Sequence, residues 1–460
     1  MTACRYARSL ARWRSSDLNR GILSALLTVG AATIALKLAA VGRELAVAYQ
    51  FGTSDALDAF IIAFLPASFA INVQIAAFSA ALMPTFIRMS REDGHGAARQ
   101  VAESTLLGAV VMLIATSLLL LASDQWLIGL LTRGFSPEKR ALTIHLFHLV
   151  LPVILLQGLV KFYGTLINAR HRFGLVAAVP MATPLLTMGL LVVIGRPDPS
   201  LLVLGVVVGA AIELALLLPL ARRLDLLVLP RWHGFDPPTR RIVMQYFPIM
   251  VGALTGGTAL MIDQGMAAML GPGSVATLSY GGKLIALLLA FTARPLSAAI
   301  LPFLADLAAT DDGVRLRQTF YGWLGLLVSA SLPIVAAIWL LSTPIVRLMF
   351  ERGAFTAEDT AVVALIQGLY ALQIPFYLAG ALGSRVLNAL SLNRATAIIG
   401  ILNCVANIVF DYLFMRWLGL PGIALATSAV YLCSSVVILA VVQRHLSSMC
   451  RSQPLAVHEA

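Results

Sequence analysis

The chain has 460 residues, of which 59% are hydrophobic and only 12% are charged, and its formal net charge is +11. A soluble protein carries roughly 25% charged residues, because its surface faces water. The composition therefore excludes a soluble globular protein, and the mean hydropathy of +0.88 indicates that much of the surface faces lipid.

Apolar runs recur along the whole chain, and each is long enough to cross a hydrocarbon core about 30 Å thick. They lack the alternation of barrel strands, so they are predicted to be helices. The predicted spans, in chain order, are 22–42, 56–89, 99–122, 141–168, 174–194, 200–221, 241–270, 274–305, 317–341, 358–389, 395–416 and 421–443. The sequence thus predicts an all-α integral membrane protein of about twelve transmembrane helices.

Basic residues are concentrated in alternate connections between these spans, beginning with the arginine-rich segment before the first span. Cytoplasmic connections of membrane proteins carry such an excess of lysine and arginine. The pattern places both termini in the cytoplasm. It also accounts for the positive net charge without a nucleic-acid partner.

The two halves of the chain share a repeat at a nearly constant offset along the sequence. The matching segments are Ser79–Pro84 with Ser297–Pro302, Arg133–Glu138 with Arg352–Glu358, and Leu166–Ala169 with Val386–Ala389. Each half has six spans, so the repeats are parallel and suit alternating access around a central cavity. The predicted domains are a basic N-terminus (1–21), an N-terminal lobe (22–221), a linker (222–241), a C-terminal lobe (242–443) and a cytoplasmic tail (444–460).

Several charged residues lie inside the predicted spans, where a charge is costly and usually faces a cavity or a partner. They are Lys37, Asp58, Lys161, Glu213, Asp263, Lys283, Arg294, Arg385 and Asp411, with Arg43 and Glu44 at the end of the first span. Snorkelling or internal pairing is the alternative for each, and snorkelling is favoured for Lys161 and Arg385 near cytoplasmic ends. The remaining cations favour an anionic substrate, and phosphate is their commonest partner.

A second polar set combines carboxylate, amide and hydroxyl groups. Asn407 and Asp411 are four residues apart and share one helix face, while Asp263 and Thr427 lie in other spans. These oxygens suit a hard cation. Hydrogen bonding between helices is the alternative.

Motifs for catalysis are missing from the sequence. The four cysteines form no CxxC pair, and no P-loop, nucleophile elbow or zinc motif is found. The chain is therefore predicted to be a transporter and not an enzyme, without a disulfide or a cofactor other than a coupling ion.

Short motifs occur in a fixed order along the chain. They include Val41–Gly52, Asp58–Phe60, Ala77–Ser79 with Pro84, Arg172-Phe173 and Tyr280–Leu284. This set resembles the MviN/MurJ family of lipid II flippases, in the superfamily of multidrug and oligosaccharidyl-lipid exporters. The resemblance implies transport of a polyprenyl-pyrophosphate-linked glycan, such as lipid II, to the outer leaflet of the bacterial inner membrane for peptidoglycan synthesis.

The same resemblance implies roles for particular residues. The implied substrate-binding set is Lys37, Arg43, Glu44, Asp58 and Lys283, to which the charge pattern adds Arg294. The implied sodium site is Asp263, Asn407, Asp411 and Thr427. Coupling to sodium or to the membrane potential would reset the carrier, and envelope-glycan assembly proteins are expected partners.

This chain also departs from the family pattern. The departures are Lys37 and Lys283 for arginine, Glu44 for aspartate, Ala70 and Ile71 near a pair of arginines, and Ile75 near a glutamate. Many relatives also have two additional C-terminal helices, whereas twelve are predicted here. Three alternatives therefore stay open: a transporter of a lipid-linked exopolysaccharide precursor, a cation-coupled pump for organic cations, and a non-transporting assembly partner.

Overall fold

The computed structural model describes residues 17–309, 313–390 and 392–452. The described residues are helical, joined by short connections, and include no strand. The helices are α1 Asp17–Phe51, α2 Asp55–Glu92, α3 Gly94–Ala122, α4 Asp124–Leu131, α5 Pro137–Val150, α6 Pro152–Ala169, α7 Phe173–Ala178, α8 Ala182–Ile194, α9 Pro199–Arg223, α10 Pro237–Ala267, α11 Ser274–Ala309, α12 Gly313–Phe350, α13 Ala357–Ala371, α14 Gln373–Ala389, α15 Asn393–Leu418 and α16 Leu420–Ser452.

The helices confirm the predicted multi-pass membrane protein. Within the described residues, ten helical segments are long and apolar enough to cross a membrane. The helices α1 and α10, with 35 and 31 residues, correspond in position and length to the other two predicted spans. The predicted basic segment falls mostly on residues 1–16, which lie outside the described residues.

Helix boundaries confirm the internal repeat. The helices α11, α12, α13, α14, α15 and α16 follow α2, α3, α5, α6, α7 and α9, respectively, at a nearly constant distance along the chain. The fourth span is interrupted at Leu151, directly before Pro152, and the tenth span is interrupted at Leu372. Proline lacks a backbone N–H and clashes with the preceding turn, which explains the first interruption. The second half keeps the interruption with Pro375 in the first turn of α14.

The chain divides into two compact units. Unit 1 comprises Met1–Gln50, Ala63–Asp124 and Ile144–Ala253, and unit 2 comprises Phe51–Ile62, Gln125–Thr143 and Leu254–Ala460. The unit boundaries differ from the predicted lobe boundaries. Residues 51–62 and 125–143 of the first half belong to unit 2, whereas the predicted linker 222–241 and residues 242–253 belong to unit 1.

Each unit has its own apolar core. In unit 1, Leu106, Leu166 and Leu217 pack together, and Leu226 and Val228 of the linker are buried against them. The linker is held further by the Tyr163 hydroxyl, which donates to the Val228 carbonyl at 2.8 Å. In unit 2, Ile62 of the first half is buried in a cluster with residues of α11, α13, α14 and α16.

Candidate functional site

Unit 1 contains a cavity of about 490 Å³, within the range of small-molecule sites. It is lined by Arg43, Phe64, Ser68, Ile71, Asn72, Ile75, Val153, Gln157, Lys161, Thr183 and Val206. Among these described residues there are two cations, several amides and hydroxyls, and no carboxylate. The cavity therefore favours an anion.

Two helices supply most of the wall at helical spacing. Phe64, Ser68 and Asn72 follow one another every fourth residue along α2, and Val153, Gln157 and Lys161 do the same along α6. Residues four apart lie on the same helix face. Each helix thus presents a stripe with an apolar residue at one end and a polar or charged residue at the other.

A buried carboxylate stands behind the cavity wall. Glu213 of α9 is only 1% exposed and accepts a hydrogen bond from the Gln157 amide at 2.8 Å and from the Thr183 hydroxyl at 2.6 Å. The backbone N–H of Thr183 donates to the same carboxylate at 3.3 Å. Glu213 therefore fixes two side chains that line the cavity without lining it itself.

The substrate-binding residues predicted on the first span do not all line this cavity. Arg43 lines the cavity and forms an ion pair with the adjacent Glu44. Lys37 lies on the same helix, is half-buried, and is not among the lining residues. Six residues of α-helix turn the side chain by about 240°, so the two cations point to different sides.

Lys161 is the cation that sequence reasoning treated as snorkelling, yet it lines the cavity beside Gln157. The signal was available in the sequence, since Val153, Gln157 and Lys161 form a stripe with a spacing of four. Thr183 and Asn72 carried no such signal, because neutral polar residues are common in membrane helices.

Asp58, also predicted to bind substrate, lies in unit 2 in what we term the Lys139 cluster: Asp55, Asp58, Lys139 and the backbone N–H of Ala276. The Lys139 ammonium donates to Asp58 at 2.7 Å and to Asp55 at 2.5 Å. The N–H of Ala276 donates to Asp58 at 2.7 Å. Asp58 is fully buried, and its partners satisfy both of its carboxylate oxygens.

Ala276 belongs to the first turn of α11, where backbone N–H groups have no partner within the helix. A carboxylate at this helix end is further stabilised by the helix dipole. Asp58 therefore ties the start of α2 to the start of α11, across the two halves of the chain. The hydroxyl of Thr53 adds a second tie, donating to Asp359 at 2.5 Å.

Close backbone approach accompanies these contacts. A side chain at Gly273 would collide with the Thr53 carbonyl, and one at Gly52 would collide with the Ala354 carbonyl. Both glycines have positive φ, at 73° and 51°, which strains other residues. The glycines thus allow the loops of the first half to pack against those of the second.

The two remaining predicted cations belong to α11. The ammonium of Lys283 lies 4.4 Å from the ring centroid of Tyr280, a cation–π contact. The side chain of Arg294 lies outside the part of the chain that the structure describes. The structure therefore places Arg43 and Lys161 in one cavity of unit 1, and Lys283 within unit 2.

The predicted sodium-binding residues come together in unit 2. The amide of Asn407 donates to Asp263 at 3.0 Å, and the hydroxyl of Thr427 donates to the other oxygen of Asp263 at 3.3 Å. Asp411 is fully buried beside Asp263, and neither of its carboxylate oxygens has a hydrogen-bond donor among the described residues.

Two adjoining buried carboxylates repel each other unless a proton or a cation lies between them. The orphaned oxygens of Asp411, together with neutral amide and hydroxyl oxygens, fit a hard cation such as sodium. Among the described residues, no group of three or more His, Cys, Asp or Glu side chains is placed to hold a metal ion.

A duplicated bundle of membrane helices, with a cavity lined by two cations in one unit and a carboxylate set in the other, is typical of a polytopic membrane transporter. Residues 47–456 match the family model described as "Lipid II flippase MurJ". The chain belongs to this family, which consists of transporters and not of enzymes.

Named relatives agree with this assignment. The chain is 27% identical to "Probable lipid II flippase MurJ" of Synechocystis sp., over 95% of this chain and 84% of that protein. It is 27% identical to the protein of the same name from Rhizobium tropici, over 77% of this chain and 68% of the relative.

Solved structures support the fold. The structure titled "Lipid II flippase MurJ, inward closed conformation" matches with a TM-score of 0.75 and 21% identity, covering 92% of this chain and 90% of that one. An inward-facing multidrug resistance MATE family transporter of the MOP superfamily matches with a TM-score of 0.76 and 14% identity, covering 91% and 96%.

Proposed function

We propose that this chain is a flippase that moves a polyprenyl-pyrophosphate-linked glycan, lipid II or a close analogue, between the leaflets of the bacterial inner membrane for peptidoglycan synthesis. Family membership and the anion-binding cavity of unit 1 support this function. The basic connections support an orientation with both termini in the cytoplasm. Net transport then runs from the cytoplasmic to the outer leaflet.

The observation that carries the proposal is that Arg43 and Lys161 line one cavity, with no carboxylate among its described lining residues. The guanidinium of Arg43 binds phosphate oxygens in a bidentate manner, and the ammonium of Lys161 acts as a point charge. Gln157, Asn72 and Thr183 add neutral hydrogen-bonding groups. A pyrophosphate therefore finds both charge and directional contacts there.

Asp263, Asn407, Asp411 and Thr427 are proposed to hold a coupling cation. A bound sodium ion would neutralise the two buried carboxylates. The contacts of Asn407 and Thr427 with Asp263 already hold three of these side chains in place. Cation binding in unit 2 would thereby supply the energy that returns the carrier to its loading state.

The Lys139 cluster is proposed to stabilise unit 2. It joins loops of the first half to helices of the second half within that unit.

The cargo has a second candidate, a lipid-linked exopolysaccharide precursor. Ile71 and Ile75 line the cavity at positions near the paired arginines and the glutamate of the family pattern. The cavity wall of α2 is therefore more apolar than the family pattern implies. Such a wall favours a cargo whose contacts to this helix are less charged.

The test is translocation in proteoliposomes of the full chain, followed with a membrane-impermeant quencher of labelled lipid. Three lipids are compared: lipid II, a polyprenyl-pyrophosphate-linked exopolysaccharide repeat, and a polyprenyl-linked glycan without phosphate. Translocation of a pyrophosphate lipid, and not of the phosphate-free lipid, is expected. Translocation of all three at one rate would contradict the proposal, and preference between the first two identifies the cargo.

A further inference from the structure

A second polar cavity of about 530 Å³ lies in unit 1, away from Arg43 and Lys161. It is formed where α6 and α9 end and where the linker begins. Its polar and charged lining residues are His95, Arg99, Arg170, Arg223 and Asp225. With three arginines to one carboxylate, the lining is cationic.

An apolar groove of about 660 Å³ lies next to this cavity, between α7–α8 and α9. The groove is lined by Leu175, Ala178, Val179, Met181, Ala182, Leu185, Ala215, Leu216, Pro219 and Leu220, and it ends at Arg223. Small side chains at Ala178, Ala182 and Ala215 leave the space between the helices. Arg223 is shared by the cavity and the groove.

The arginines of the cavity differ in how far their charges are compensated. Arg99 is paired with Glu103 at 3.0 Å. Arg170 instead contacts the Nδ1 of His95 at 3.3 Å. Because a guanidinium can only donate, Nδ1 of His95 must accept, which leaves the Nε2–H of a neutral ring as a further donor. Arg170 therefore lacks a carboxylate partner among the described residues.

Arginines at helix ends also offset the helix dipole, and both α6 and α9 end at this cavity. That role explains a cation at each end but explains neither the cavity nor the apolar groove that continues from it. Arg222, next to Arg223, serves the dipole equally well and lines neither space.

We propose that the cavity and the groove together form a binding site for an anionic phospholipid, with its phosphate at Arg170 and Arg223 and one acyl chain in the groove. The polar end and the apolar run are contiguous, as in a phospholipid, and the charge is complementary. Basic pockets between transmembrane helices on the cytoplasmic side are suited to anionic headgroups. This site is separate from the transport cavity.

The experiment measures lipid retained by the purified full chain in native mass spectrometry, with phosphatidylglycerol and phosphatidylcholine of the same chain length as probes. Wild-type protein should retain phosphatidylglycerol preferentially. The double variant Arg170→Gln/Arg223→Gln should lose this preference by about tenfold, since each cation near the surface contributes to anionic lipid binding. The matched control is Arg172→Gln/Arg222→Gln, which removes the same charge from positions one or two residues away that do not line the cavity or the groove.

A second arm tests the groove. Ala215→Trp, which fills the groove from an exposed position, should weaken phosphatidylglycerol retention, whereas Ala211→Trp, one turn away and also exposed, should not. Equal losses in the two arginine pairs would overturn the proposal in favour of general surface charge. Displacement by inorganic pyrophosphate, with no effect of Ala215→Trp, would overturn it in favour of a soluble anion. Preferential retention of polyprenyl pyrophosphate would show a substrate site instead.

Discussion

The cavity of unit 1 and the Lys139 cluster of unit 2 hold their charges in different ways. In unit 1, Arg43, paired with Glu44, and Lys161 line an open cavity that contains no carboxylate among its described lining residues. In unit 2, Asp58 and Lys139 are buried and satisfied by partners within the protein. A ligand can enter the cavity and contact its cations, whereas the charges of the Lys139 cluster are enclosed by protein.

The repeat sharpens this comparison. When the helix starts of the two halves are aligned, Asp263 corresponds to the Arg43–Glu44 pair of the first half. In the same alignment Thr427 corresponds to Val206, which lines the cavity of unit 1. Duplicated helices thus carry a cationic site in one unit and a carboxylate site in the other, consistent with an anionic cargo and a cationic coupling ion.

The largest effect is expected on removing the partner of a buried charge in unit 2. Lys139→Met leaves Asp58 buried with only the N–H of Ala276, which should cost about 3–5 kcal/mol of stability. Thermal unfolding of the purified protein measures the change. The control is Arg133→Met, at an exposed position in the connection before α5. An equal loss of stability in both variants would show that the buried position of Lys139 does not matter.

A smaller effect on stability should show whether a cation or a proton lies between Asp263 and Asp411. Sodium at one hundred times its dissociation constant should stabilise the protein by about 2.7 kcal/mol, while choline at the same ionic strength should not. Asp411→Asn should abolish the sodium-specific increase in thermal stability. The exposed Glu358→Gln should keep it. Stabilisation on acidification alone, without any sodium effect, would indicate a shared proton.

Replacing Glu213, the carboxylate behind the cavity wall, should reduce both the stability of the protein and its affinity for the cargo. Glu213→Gln replaces an acceptor of three hydrogen bonds and should cost about 1–3 kcal/mol. It should also weaken binding of polyprenyl pyrophosphate, because Gln157 and Thr183 lose their anchor. Isothermal titration calorimetry checks the binding, with the exposed Glu92→Gln as control. Unchanged affinity in a destabilised Glu213→Gln protein would confine Glu213 to a structural role.

The smallest effect is expected on cargo affinity when the apolar α2 wall of the unit 1 cavity is changed. Ile71→Arg adds a third cation to the cavity and should raise the affinity for polyprenyl pyrophosphate about tenfold, since a charged hydrogen bond contributes about 1.5 kcal/mol or more. Ile71→Gln, which adds bulk and polarity without charge, should leave the affinity within about twofold. If both raised it equally, polarity and not charge would govern the wall.

The sequence was sufficient for most of the fold. Long apolar runs and basic connections define the spans because lipid admits few alternatives for the backbone. The repeat even anticipates matching helix starts in the two halves. The sequence could not predict that segments 51–62 and 125–143 belong to unit 2, because this depends on contacts such as that of Asp58 with Lys139, 81 residues apart.

The site was only partly predictable. Arg43 and the Asp263, Asn407, Asp411 and Thr427 set were named from spacing and resemblance, and the structure brings Asn407 and Thr427 to Asp263. Lys161 was assigned to snorkelling because its distance from a helix end does not reveal the cavity beside it. The sequence shows that Glu213 is a charged residue inside a span, but it does not show its partners, because they lie on other helices.

The most direct test of the account is translocation of the pyrophosphate-linked lipid by Arg43→Gln, compared with Arg91→Gln at an exposed position, in proteoliposomes at equal protein content. Arg43→Gln should lose translocation by about tenfold to a hundredfold at unchanged thermal stability, because a charged contact to the phosphate is removed. Arg91→Gln should retain wild-type rates. Wild-type translocation by Arg43→Gln would contradict the assignment of the unit 1 cavity as the cargo site.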